Sequence, residues 1–408
     1  MHPQKPVWIP QEAEAYNSDL KLNPLNISQK KYEKQYFSPW NIQTKENEKR
    51  DILWPIRSYH PNNSYGENLQ KRDKYFFDAM RENINLQAYA TYNKKALTLK
   101  SLNMRALPTD KPLFLDPKRA GEGFPFDYMQ NSSIAANKPV LITHFSKDKE
   151  WVHVISSFTY GWVKSSDVAI LSDAQVKQFQ QSKHLSVIKD NTFIYSPKGK
   201  FLYKAKLGTL LPFAGESRNI YRVLAVKKGK DNSAVFITVE VPKQNMHKGI
   251  LAFNRKNINS VLTQLEQSKY GWGGMYNQRD CSSTMRDFFA PFGGWLPRNS
   301  SKQSKIGKVI SLKGLSDREK LNVIRENALA YRTLLYKKGH IVLYIGMQND
   351  SIIVFQNMWG IKTKESNKEG RYIVGKALFS TLHFGSDLKN YDKKSSLLHK
   401  LESMNILF

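Results

Sequence analysis

The sequence predicts a multidomain α+β protein: a helical N-terminal segment, two small all-β barrels, and an α+β domain at the C-terminal end. Three observations carry this. At 408 residues the chain exceeds what one hydrophobic core usually organises, so about two to four domains are expected. From Leu107 the pattern changes from charged, glycine-poor sequence to short apolar runs separated by turn residues. After about residue 246 helix-like runs return and lead into a paired set of apolar runs. The implied domains are 1–106, 107–172, 173–245 and 246–408.

Residues 1–40 are extended and punctuated by proline, with Trp8, Tyr16, Tyr36, Phe37 and Trp40 spaced along them. Disordered segments are aromatic-poor, so this stretch, and Tyr36-Phe-Ser-Pro-Trp40 above all, is expected to pack over another domain. Residues 41–103 have a helical composition. Within Lys71–Lys94, Tyr75, Phe76, Ala79, Met80, Ile84 and Leu86 keep a helical rhythm that breaks near Asn83. Barrel one is expected to hold Pro139–Phe145, Trp151–Ser156 and Tyr160–Val163 as antiparallel strands, with Arg119–Asn131 as a long insertion. Beyond a helix-like Asp173–Lys183, the runs at Ser186, Thr192, Gly208, Tyr221 and Ala234 read as a second barrel of similar size. In the last domain Asn257–Ser268 is a helix with Ile258, Val261, Leu262 and Leu265 on one face. Ser316-Asp-Arg-Glu319 opens another through a capping-box pattern, running to about Ala330. The lysine-rich Lys389–Lys400 reads as a solvated helix.

Lys plus Arg number 63 against 35 Asp plus Glu, a net charge of +28. Such a charge attracts polyanions. No basic helix, RNA-binding aromatic signature or zinc spacing favours nucleic acid. No histidine–carboxylate cluster has ligand spacing, so neither metal nor other cofactor is expected. No run approaches the ~18 apolar residues of a membrane span. The opening Met-His-Pro-Gln-Lys-Pro has no hydrophobic signal core, so the chain is either cytoplasmic or has lost its signal.

The only cysteine lies in Lys269-Tyr-Gly-Trp-Gly-Gly-Met-Tyr-Asn-Gln-Arg-Asp-Cys281, just before the helix-like Ser282–Phe289. A helix N-terminus favours a thiolate. A lone cysteine is more commonly a buried apolar residue, but Asp280, Ser282 and Ser283 make this a polar site. A nucleophilic thiol needs a base, and His340 is the candidate. His340–Gly346 and Ile352–Gly360 flank Gln-Asn-Asp and read as a hairpin. A turn near Asn349 sets Val342 opposite Gln356 and puts His340 and Gln356 on one face. Polar groups paired on an apolar hairpin match cysteine–histidine catalysis with a third group holding the imidazole.

Tyr-x-Trp-Gly-Gly, Arg-Asp-Cys-Ser, Leu296-Pro-Arg-Asn-Ser300, Gly-His-Ile-x-Leu-Tyr-Ile-Gly and Phe-Gln-Asn-Met-Trp-Gly together resemble the NlpC/P60 family of cell-wall cysteine peptidases. The order, cysteine on a helix and histidine on a later strand, is papain-like. The resemblance implies Cys281 as nucleophile, His340 as base and Gln356 as its orienting residue. Gln356 is a departure, because an amide holds an imidazolium without charge. Tyr270, Asp280 and Ser282 match positions that receive a free substrate amine, and Arg298 is a candidate for a substrate carboxylate. The barrels resemble bacterial SH3-type domains. By the same resemblance the Arg119–Asn131 loop restricts the groove to stem peptides with a free N-terminal L-Ala, with Glu122, Asp127 and Tyr128 as contacts.

The resemblance implies a monomeric enzyme of the cell envelope, periplasmic or secreted, that cleaves the γ-D-Glu–diamino acid bond of peptidoglycan stem peptides. The diamino acid is expected to be meso-diaminopimelate. Two other readings are compatible with the residues: a non-catalytic wall-binding protein, and a thiol-dependent amidase or acyltransferase on the same fold.

Overall fold

The computed structural model describes residues 6–16, 22, 25–44, 49–266, 268–366 and 368–408. Its contacts separate into two units. One comprises Ser28–Ile250 with Trp272–Asn277; the other comprises the described residues before Ser28, Leu251–Gly271 and Gln278–Phe408.

In the first unit, Ser28 caps the Gln29–Tyr36 helix by accepting the Lys31 N–H at 3.2 Å. The expected aromatic clip is buried and anchored by its polar tips. Tyr32 Oη donates to Gly208 O at 2.9 Å and Tyr36 Oη to Asn137 O at 3.1 Å. Trp40 Nε1 donates to Ala96 O and Val140 O, each at 3.2 Å. One short segment thus fastens to both barrels.

The first barrel is a seven-stranded antiparallel sheet of order β3-β2-β6-β5-β4-β1-β7. Its strands are β1 (Lys94–Thr98), β2 (Leu102–Arg105), β3 (Gln130–Ile134), β4 (Pro139–Phe145), β5 (Trp151–Ser156), β6 (Tyr160–Lys164) and β7 (Val168–Ile170). Strands β1 and β2 precede Leu107, in sequence whose composition reads as helical. Lys94-Lys-Ala-Leu is rich in helix formers, but pairing with β4 and β7 and burial of Ala96 and Leu97 override that preference. Within Lys71–Lys94 the helix runs Lys74–Asn83, capped by Asp73, and ends at the expected break.

The second barrel holds β8 (His184–Val187), β9 (Thr192–Tyr195), β10 (Phe201–Ala205), β11 (Leu210–Glu216), β12 (Ile220–Lys228), β13 (Ala234–Pro242) and β14 (Met246–Lys248). Five strands form the sheet β13-β12-β11-β8-β14, and β9 and β10 form a separate hairpin. Leu185, Val187, Ile194, Tyr203, Leu211, Val223 and Val239 make the core.

The second unit is built on the antiparallel sheet β15-β20-β16-β17-β18-β19. Its strands are β15 (Lys308–Ser311), β16 (Thr333–Lys337), β17 (His340–Gln348), β18 (Ser351–Glu365), β19 (Lys368–Thr381) and β20 (Ser403–Ile406). Helices Arg255–Glu266, Cys281–Phe289 and Asp317–Asn327 accompany it. The start of the chain packs here: the rings of Trp8 and Phe384 lie 5.2 Å apart, and those of Tyr16 and Phe379 5.3 Å apart. The solvated helix expected over Lys389–Lys400 is reduced to the short turns Lys393–Ser395 and Leu397–Lys400. Leu398, Leu401 and Met404 are drawn into the core with Val342 and Val354.

Barrel one also buries two imidazoles. Thr143 Oγ1 lies 2.8 Å from His144 Nδ1 and 2.9 Å from His153 Nδ1, and His144 Nε2 donates to Ile84 O at 2.9 Å. Burial pushes His144 down to about 4 and, aided by His144, holds His153 well below the ordinary range. The folded state therefore favours the neutral rings. Their contribution to stability is complete above pH about 6.5 and declines as pH falls toward 4. Thermal melts across that window should show falling stability, and His144→Gln should flatten the slope.

Candidate active site

The aromatic loop before the cysteine leaves the second unit at Gly271 and returns at Gln278. Gly271 N donates to Arg279 O at 2.9 Å and so closes the neck of this excursion. Between these points Gly273 and Gly274 have φ of 59° and 79°. A Cβ on Gly273 would sit 2.4 Å from Gln130 O, and one on Gly274 2.0 Å from Ser133 Oγ. The glycine pair is therefore required by close approach to β3. Trp272 Nε1 donates to Asp127 O at 2.9 Å, and its ring meets Phe126 and Tyr128.

The helix then starts at Cys281, with Asp280 as its cap. Asp280 Oδ1 accepts the Ser283 N–H at 2.8 Å, and Ser283 Oγ accepts the Asp280 N–H at 2.9 Å, a reciprocal capping box. Arg298 completes the arrangement. Its Nη2 lies 2.6 Å from Asp280 Oδ2, and its Nη1 donates to Ser282 Oγ at 2.7 Å. Burial alone would raise the Asp280 carboxyl, but the Arg298 guanidinium and the Ser283 hydrogen bonds hold it below the usual range.

This corrects the substrate-carboxylate role expected of Arg298. Its side chain is buried, and the carboxylate it meets is the chain's own.

The hairpin forms with Asn349 and Asp350 as its two turn residues, at φ of 47° and 60°. Near the turn Gln348 pairs with Ser351 and Gly346 with Ile353; an irregularity at Ile345 then shifts the register, so Leu343 pairs with Phe355. Continuing that register sets Val342 opposite Gln356, as the sequence implies. His340 and Gln356 meet: His340 Nε2 lies 2.8 Å from Gln356 Oε1. Gln356 Nε2 donates to Ser380 Oγ at 2.6 Å, which turns the amide oxygen toward the ring. An amide oxygen only accepts, so Nε2 carries the imidazole proton and Nδ1 the lone pair. Ser380, invisible in the motif pattern, fixes the histidine tautomer through Gln356.

Cys281 Sγ accepts the backbone N–H of Ile341, the residue after His340. Tyr270 shares the electrostatic surroundings of Cys281, Asp280 and Arg298, and burial raises its phenol well above the ordinary value. The thiol departs from the helix-end expectation of a thiolate. Burial, and then Asp280, push it up to about 12, outweighing the Ile341 and Ser282 N–H groups and Arg298. Burial, with Lys337 adding, pushes His340 down to about 4 against the pull of Gln356 and Asp280. At neutral pH the pair rests as thiol and neutral imidazole.

Lys337 was not evident from sequence. Across the Lys338-Gly339 turn it pairs directly with His340, so both side chains leave one face of the β16–β17 hairpin. The signal available was its position, symmetric to His340 about Gly339.

The Arg119–Asn131 residues belong to the first unit. Asp127 is buried there: its carboxylate meets Arg105 Nη1 at 2.7 Å and accepts the Leu113 and Met129 N–H groups. The substrate-contact role expected of Asp127 is thereby corrected to a structural one. Glu122 lies 3.9 Å from Arg119, and Tyr128 packs between the rings of Tyr59 and Trp272.

A cysteine at a helix N-terminus, with a histidine held by an amide on the accompanying antiparallel sheet, defines a papain-like α+β domain. Residues 267–372 match the NlpC/P60 family, and 4–89 match the N-terminal NlpC/P60 stabilising domain. Residues 112–164 match an SH3 domain of the SH3b1 type and 172–218 one of the SH3b2 type. The chain belongs to the NlpC/P60 family. Its fold is similar to an NlpC/P60 endopeptidase from Photobacterium damselae subsp. piscicida, with TM-score 0.84 and 23% identity over 100% of this chain and 99% of that one. An NlpC/P60 family protein from Bacillus cereus aligns at TM-score 0.48 and 16% identity, over 67% of this chain and 81% of its own. No curated protein sequence matches.

Two outcomes test this geometry. Arg298→Met leaves Asp280 charged and buried without its partner, and denaturant unfolding should show a loss of about 3–5 kcal/mol. Lys337→Met removes a cation that depresses His340; NMR titration of that ring should find its midpoint moved up from about 4, while staying below the ordinary value.

Proposed function

We propose that the chain is a peptidoglycan hydrolase, a cysteine endopeptidase that cleaves the γ-D-Glu–diamino acid bond of stem peptides, with meso-diaminopimelate as the diamino acid. The observation that carries this is the Cys281–His340–Gln356 arrangement: a thiol at a helix start, bonded to the strand that bears an oriented imidazole. Membership of the NlpC/P60 family supports the substrate class.

In this mechanism Cys281 Sγ attacks the γ-carbonyl of D-Glu while His340 Nδ1 takes the thiol proton. Because both groups rest neutral, no ion pair precedes attack. The C–N bond then breaks, His340 returns the proton to the leaving amine, and a thioester stays on Cys281. Water, deprotonated by the same imidazole, releases the acid and regenerates the thiol. Helix N–H groups at Cys281 supply the oxyanion stabilisation. Gln356 orients the imidazolium by hydrogen bonding alone. Tyr270, Asp280 and Ser282 receive the free amine of L-Ala. Asp280 is already paired with Arg298, so recognition of the amine rests on hydrogen-bond geometry more than on net charge.

The test is hydrolysis of L-Ala-γ-D-Glu-meso-diaminopimelate, followed by mass spectrometry. The wild type should release L-Ala-D-Glu, Cys281→Ala should release none, and N-acetylation of the peptide should slow the reaction. With the imidazole neutral down to about pH 4, the acid limb of kcat/KM should lie below the ordinary histidine value. Failure to cleave either peptide would reject this assignment.

A further inference from the structure

Lys337 holds a half-buried ammonium without a counterion. It lies on β16 directly opposite His340, and the two side chains leave one face of the hairpin. Among the described residues no carboxylate pairs with it. The charged neighbours that act on it are the cations Arg371, Lys400 and Lys362, together with the ionisable thiol of Cys281. Burial, and then these cations, hold the ammonium below the usual lysine range. A charge taken out of water without a partner is costly.

The neighbours do not share this condition. Lys362 Nζ lies 2.6 Å from Glu369 Oε2, and Arg371 Nη1 lies 2.7 Å from Glu369 Oε1. Lys400 is exposed to water. The unmet charge is therefore confined to the residue beside His340.

Its position selects one side of the substrate. In the proposed hydrolysis His340 returns a proton to the leaving amine, so the ring borders the diamino acid. Cys281 Sγ accepts the Ile341 N–H, on the strand that bears His340. Lys337, across the turn from His340, thus borders the leaving group, and the Asp280 side of the thiol borders the acyl part.

We propose that Lys337 binds the carboxylate on the side chain of the diamino acid and so selects meso-diaminopimelate over lysine; this rests on the peptidase reading above. The far carbon of meso-diaminopimelate carries an ammonium and a carboxylate, and that end is neutral overall. Lysine ends in an ammonium alone. A carboxylate supplies the counterion that Lys337 lacks, through a charge-assisted hydrogen bond. A lysine ammonium in the same place would meet Lys337, Arg371 and Lys362, and like charges brought together repel. Attraction of one side chain and repulsion of the other act in the same direction. Lys337 is a specificity-determining residue here and moves no proton.

The full chain is assayed at about pH 8, where His340 is neutral with or without Lys337. The substrates are L-Ala-γ-D-Glu-meso-diaminopimelate, the same peptide with the far carboxylate amidated, and the peptide with L-lysine in its place. The wild type should favour the first over each of the others by about tenfold or more in kcat/KM. Lys337→Met should bring both ratios close to one, chiefly through KM, and Lys337→Arg should preserve them. Calorimetric binding of the three peptides to Cys281→Ala, with and without Lys337→Met, should show the same preference and its loss. A structural role, or one exercised through His340 alone, lowers the rates for all three peptides alike, and that result would overturn the proposal. Equal rates of the wild type on the free and amidated peptides would overturn it as well, whether or not Lys337→Met folds. Cleavage of none of the peptides would reject the peptidase reading; cleavage of all three without discrimination would reject the carboxylate subsite alone.

Discussion

The buried carboxylate of Asp280 is the constraint on which the site depends. It caps the helix that begins at Cys281, binds the Ser283 amide, and holds Arg298, which in turn fixes Ser282. A buried charge is costly unless paired and hydrogen-bonded, and here both requirements are met within a few residues of the thiol. The same charge has a second effect. Together with burial it disfavours the thiolate, so the residue that positions Cys281 also favours its protonated form.

The imidazole of His340 is held by a chain of hydrogen bonds. Ser380 accepts from Gln356, Gln356 accepts from His340, and the tautomer follows. Lys337, opposite His340 across a two-residue turn, works against protonation of the same ring. The imidazole is ordered by uncharged contacts, while burial, Asp280 at the thiol and Lys337 at the ring favour the neutral forms.

The barrel unit is organised by different means. A short aromatic segment ties its two barrels together, and the Trp272–Asn277 excursion lies against β3 with no room for a side chain at Gly273 or Gly274. Polar residues are spent on structure: Arg105 and Asp127 pair within the barrel and satisfy its loop backbone.

The helix after Asp280, the hairpin joining His340 to Gln356, and the aromatic clip were legible in the sequence because each is specified locally. A capping residue, a pair of turn residues and side-chain parity act over a few positions. The register that the sequence implies is met at Leu343 opposite Phe355 although the turn lies half a residue later, because the irregularity at Ile345 restores it. Strands β1 and β2 were not legible. Lys94-Lys-Ala-Leu carries no strand preference and becomes a strand only through partners more than forty residues away. Nor could sequence assign Arg298 and Asp127 to internal partners, since an arginine or aspartate in a loop looks the same whether it faces solvent or a buried countercharge. The sequence by itself singled out Cys281, His340 and Gln356 and the local elements that present them. Tertiary structure decided their ionisation, because a pKa is set by burial and by charges that only folding brings near.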